Sequence, residues 1–132
     1  MIISKRKTRG RKVLWKDIAA LKLSKNGHIT LSAALVNLLE IDDAEKDGVV
    51  FGYEDKASYI GYSFDSEAYK CRFKQGESSF RFGSVEERDN IILTSLSHID
   101  DLQFPITMVV DPEDFVIHKT VKLYRLNYHN PN

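Results

Sequence analysis

Leu21-Lys22-Leu23-Ser24-Lys25-Asn26-Gly27-His28-Ile29-Thr30-Leu31-Ser32-Ala33-Ala34-Leu35-Val36-Asn37-Leu38-Leu39 is the stretch on which the fold turns. Leu21 and Leu23 alternate with Lys22 and Ser24, the period of a half-buried strand. Asn26-Gly27 supplies a tight turn, and Ile29 and Leu31 resume the alternation beyond it. Ser32 or Thr30 then caps a helix whose apolar positions are Leu35, Val36, Leu38 and Leu39. A hairpin that feeds a short helix implies an antiparallel sheet, because so short a connection cannot carry a parallel crossover.

The same punctuation recurs downstream. Val49 to Glu54 and Ala57 to Ser63 read as a hairpin around Glu54-Asp55-Lys56. Ala68 to Lys74 and Ser78 to Gly83 read as a second, around Gln75-Gly76-Glu77. Ser84-Val85-Glu86-Glu87 is a capping box, and Val85, Ile92, Leu96 and Ile99 follow at helical spacing with Leu93 beside them. Ile106 to Val110 and Phe115 to Leu126 predict a last hairpin around Asp111-Pro112-Glu113-Asp114, with Phe115, Ile117, Val121 and Leu123 on its core face. The expected class is α+β, a mostly antiparallel sheet of hairpins with two short helices. Both halves run strand, helix, acidic break, hairpin, which points to an internal duplication. A basic N-terminal arm, residues 1–18, precedes a single α+β domain over residues 19–132.

Composition bounds the function classes. The chain has 132 residues, 42% apolar and 29% charged, which excludes wholesale disorder. No apolar run approaches the roughly 18 residues of a membrane span. The single Cys71 excludes an internal disulfide and an all-cysteine metal site, and its apolar strand position reads as a buried small hydrophobe. Met1-Ile2-Ile3 is too short for a secretory h-region, so the expected location is cytoplasmic, with nucleoid association or a virion included. The four histidines are far apart, the glycines form no phosphate loop, and Glu86 and Glu87 suit a helix N-terminus. No catalysis, metal, cofactor or small-molecule substrate is expected.

The charge balance of 19 basic against 19 acidic residues hides an asymmetry. Residues 1–25 hold nine basic residues and one acid, leaving 10 basic and 18 acidic residues in the rest. Lys5, Arg6, Lys7, Arg9, Arg11 and Lys12 crowd into eight positions, where they repel one another and favour a polyanion. Each phosphate they neutralise releases condensed counterions, so nucleic-acid binding is the expected function. Lys22, Lys25 and His28 extend that surface. In Tyr69 to Lys74, period two sets Lys70, Arg72 and Lys74 on one face, which Arg81 joins when Phe80 and Phe82 face the core. Tyr53, Tyr59 and Tyr62 offer stacking surfaces for bases. A homo-oligomer is expected. The alternative is an assembly subunit of a virion or other large particle, its arm docked on an acidic neighbouring copy.

Asn26 to Leu35, then Leu39-Glu40-Ile41 and Ala44-Glu45-Lys46-Asp47-Gly48-Val49-Val50-Phe51, resemble the SpoVT/AbrB-type swapped-hairpin family. The resemblance covers residues 21–63. It implies a dimer that exchanges hairpins and binds DNA rather than RNA, as a transcriptional regulator or antitoxin. A single-strand binder is the other DNA-binding expectation. The chain departs from the family where His28 replaces an arginine or lysine and Ser32 replaces a strand-ending proline. The helix from Ala33 to Leu39 also carries no basic residue. The family's helix contacts to DNA are therefore not expected here.

Overall fold

Alternation along the strands sets the inside of this protein. The structure, a computed structural model, describes residues 17–42, 47–70, 72–73 and 79–129. In chain order its elements are β1 (Ala20–Leu23), β2 (His28–Ser32), α1 (Ala33–Leu38), β3 (Gly48–Glu54), β4 (Ala57–Ser63), β5 (Tyr69–Lys70), β6 (Arg72–Phe73), β7 (Ser79–Gly83), α2 (Val85–Ser95), β8 (Ile106–Val109), β9 (Phe115–His118) and β10 (Val121–Tyr128). β1 buries Leu21 and Leu23, β2 buries Ile29 and Leu31, and β8 buries Ile106 and Met108. These side chains fall at every second position, so each strand turns one face into one shared cluster.

The pairings are antiparallel throughout, as expected for the class. Across the sheet the order is β5-β3-β4-β10-β8-β1-β2-β7-β6, with β9 beside β10. The two end strands, β5 and β6, are separated along the chain by one residue, position 71. β5 pairs with β3 through Gly48↔Lys70 and Val49↔Tyr69. β6 pairs with β7 through Arg72↔Arg81 and Phe73↔Phe80. One five-residue stretch therefore stitches both edges, and the sheet curls into a nearly closed barrel, which removes most of its free edge. Rings bridge the same seam: Tyr69 stacks on Phe82 at 5.3 Å, and Phe51 lies 6.0 Å from Tyr69.

Both helices start where serines can cap them. Ser32, rather than Thr30, caps α1. Its buried hydroxyl accepts from Leu35 N at 3.2 Å and from Ala20 N at 3.1 Å, and donates to Ile18 O. Ser84 caps α2, its Oγ accepting from Glu87 N at 3.2 Å. The reciprocal half of the capping box is missing, because Ser84 N donates instead to Gly27 O at 2.8 Å. That bond docks α2 on the β1–β2 turn. Gly27 has φ +91°, and a Cβ there would meet Val85 Cγ2 at 2.4 Å, so the turn requires glycine. The expected apolar stripe of α2 holds in its later part: Leu96 is buried and Ile92 and Ile99 pack against the core. Ile91 joins them, whereas Val85 and Leu93 are 51% and 68% exposed. The line along which the helix crosses the barrel decides its buried face.

The last hairpin also differs from expectation. Its turn is Lys119-Thr120, both left-handed with φ of 49° and 70°, and β9 returns directly into β10. Asp111 to Asp114 do make a turn, with Asp114 N donating to Asp111 O at 2.9 Å. The turn is a kink within one side of the ribbon, because β8 and β9 lie along the same side of β10. The parity of the ribbon shifts accordingly. Tyr124 and Leu126 are buried, while Phe115 and Ile117, expected in the core, are 38% and 69% exposed. Among the described residues no helix is long and apolar enough to cross a membrane.

Candidate nucleic-acid interface

Burial of Leu21, Leu23, Ile29, Leu31 and Phe82 leaves Lys22, Thr30 and Arg81 on the opposite, outer face of the sheet. Register then sets these residues in one line. Lys22 stands opposite Thr30, and Thr30 opposite Arg81, across three adjacent strands. Thr107 flanks Lys22 on β8, and Arg72 stands opposite Arg81 in the backbone register of β6. With strands about 4.8 Å apart, Lys22 and Arg81 are roughly 10 Å apart at the backbone. Basic and hydroxyl side chains in one such row are the groups that contact phosphate oxygens.

The other expected contacts distribute around this row. His28 is exposed at the start of β2, on the same face as Thr30. Lys25 is exposed in the β1–β2 turn, whose shape is held by Arg88: the guanidinium donates to Lys25 O and, at 3.2 Å, to Ser24 O. Lys70 lies on the β3 side of the seam and donates to Asp65 O at 3.1 Å. The arm residues Lys5, Arg6, Lys7, Arg9, Arg11 and Lys12 lie outside the described residues, as do Lys74 and Cys71. The arm is joined to the chain at Asp17, beside the Ile18–Ser32 bond and five residues before Lys22.

The three tyrosines expected to stack on bases stand elsewhere, on β3 and β4. Tyr53 and Tyr69 both donate to the Glu87 carboxylate, Tyr69 at 2.9 Å. Burial first, and then the bond to the Glu87 carboxylate, hold both phenols above their ordinary pKa. Tyr62 donates to Asp47 Oδ1 at 2.7 Å, and that bond raises its pKa. Tyr59 lines a cleft of about 520 Å³ on the outer face of β3, β4 and the ribbon, with Val50, Leu123 and His118. The Lys22–Arg81 row lies on the other half of the barrel.

Sequence reasoning found Lys22 and Arg81 separately. It missed that they share a row, because the β2–β7 pairing that joins them spans about fifty residues and has no local signature. It also missed Arg88, a charged residue on an amphipathic helix with no feature to single it out. Among the described residues no group of three or more His, Cys, Asp or Glu side chains is arranged to hold a metal ion. Comparison with family models, curated proteins and solved structures returned no match to this chain.

Proposed function

We propose that this protein binds nucleic acid, DNA in preference to RNA, gripping phosphates with the basic arm and the outer row that begins at Lys22. The observation that carries the reading is the cross-strand line Lys22–Thr30–Arg81, with Arg72 in register beyond it, beginning ten residues after the Lys5–Lys12 segment dense in arginine and lysine. The arm leads into the row along the chain, and lysine, arginine and threonine side chains suit phosphate oxygens. The contacts are therefore of the positioning kind, and affinity is electrostatic. The SpoVT/AbrB-type resemblance of residues 21–63 supports a regulatory role on DNA in the cytoplasm, and the lack of basic residues on α1 favours contacts from the sheet over contacts from that helix.

The test is a fluorescence-anisotropy titration of labelled DNA, single- and double-stranded, at two salt concentrations. Full-length chain is expected to lose affinity steeply with salt. Removal of residues 1–12 abolishes most of the affinity. Arg81→Ala weakens binding to all sequences alike and reduces the salt slope by about 1. Equal affinity of the truncated and full-length chains overturns the proposal.

A further inference from the structure

β9 branches off the path of the sheet beside β10, and its outer edge pairs with no other strand among the described residues. Register determines which backbone groups that edge presents. His118↔Val121 closes the two-residue turn, and Arg125 N donates to Asp114 O at 3.0 Å. The even-numbered residues of β9 therefore direct their backbone groups to β10, and the N–H and C=O of Phe115 and Ile117 point away from it. Among the described residues no strand pairs with this side of β9. Its side chains are open as well: Phe115, Val116 and Ile117 are 38%, 40% and 69% exposed. A bare apolar edge of this kind is a template for another strand.

The charges at the two ends of β9 select the partner. Asp111, Glu113 and Asp114 precede the strand, and His118 and Lys119 close it. We propose that β9 joins two copies of this chain, paired antiparallel about a two-fold axis at Val116. In that register Phe115 of each copy exchanges backbone hydrogen bonds with the other copy's Ile117. Asp114 then stands opposite His118, and Glu113 opposite Lys119. A parallel pairing would set acid against acid and base against base. The strand is thus complementary to itself in one direction only, which is the requirement of an isologous contact. The strand is short against the roughly 1,200 Å² of a stable interface, so the dimer dissociates on dilution in the micromolar range. This contact does not depend on nucleic-acid binding, and its test contains none.

Sedimentation velocity of the full chain over a concentration series, at low salt, reads the association directly. The parent is expected to shift from the 15.1 kDa monomer to a dimer as concentration rises. Ile117→Pro removes an outward N–H while sparing the bonds to β10, and is expected to weaken dimerisation at least tenfold with an unchanged circular dichroism spectrum. Glu113→Lys and Lys119→Glu chains each dimerise poorly alone, because like charges then face each other. Mixed in equal amounts they recover the parental dimer, since both facing pairs become opposite in sign. A parent that stays monomeric overturns the proposal, as does a folded Ile117→Pro chain that dimerises like the parent. Failure of the mixture to recover assigns the edge to a different occupant, the arm or a foreign strand, and equally overturns it.

Discussion

Glu87 sits at the third helical position of α2, where a carboxylate ordinarily reaches back to the capping residue's amide. That amide is already bonded to Gly27 O, so the reach-back finds no donor. The carboxylate instead accepts the hydroxyls of Tyr53 from β3 and Tyr69 from β5, at a helix end whose dipole favours negative charge. Both phenols resist ionisation, first because burial disfavours a phenolate, and then because the Glu87 carboxylate holds the hydroxyl and would repel the charge. In the unfolded chain the same phenols ionise near pH 10. The stabilisation is therefore complete below about pH 10 and is lost as pH climbs toward the folded-state values. Urea unfolding followed from pH 7 into the alkaline range is expected to show stability falling above about pH 10. Glu87→Gln is expected to cost about 1–2 kcal/mol at pH 7 and to flatten that alkaline decline. An alkaline slope identical in the two proteins would remove Glu87 as its source.

Between residue and barrel, the elements show which parts of the sequence speak locally. The β1–β2 hairpin and the α1 cap were legible because turn and cap chemistry are short-range: Asn26-Gly27 and Ser32 act on backbone within a few residues. The outward placement of Lys22 was legible for the same reason, since period two sorts it from the buried Leu21 and Leu23 without any knowledge of pairing. The turn at Lys119-Thr120 was not legible. It holds two non-glycine residues, one of them β-branched, at positive φ, and nothing in their composition announces a two-residue hairpin loop. Asp111-Pro112-Glu113-Asp114 carries far stronger turn chemistry, and so drew the hairpin to the wrong place. The two capping candidates of α1 separate cleanly by mutation. Ser32 Oγ is buried and holds three backbone partners, so Ser32→Ala strands Ala20 N–H and Ile18 C=O as well as the helix end. A loss of roughly 2 kcal/mol in chemical denaturation is expected. Thr30 lies within β2, and Thr30→Ala is expected to cost well under half of that. A larger loss from Thr30→Ala would contradict the assignment of the cap.

At the scale of the whole molecule, stability hangs on a seam of few residues. Among the described residues, eight strands run in an unbroken antiparallel series from β3 to β7 or alongside it, and β5 and β6 fasten its ends with two residue pairs each. Aromatic contacts across this seam add to those pairs. Tyr69 belongs to both systems. It pairs with Val49, stacks on Phe82, meets Phe51 edge-on and bonds Glu87. Tyr69 is partly buried against the core, so removal of its ring is expected to cost about 2 kcal/mol, below the range for a fully buried aromatic. The loss should be unevenly distributed. β1 is flanked by β2 and β8 and needs no closure to keep its hydrogen bonds, whereas the edges of β3 and β7 depend on the seam. Hydrogen exchange of the Tyr69→Ala chain is therefore expected to show early loss of protection in β3 and β7, with β1 and β2 retaining theirs until global unfolding. Uniform loss of protection across all strands would mean that the barrel opens as one cooperative unit and that the seam is not its weak point.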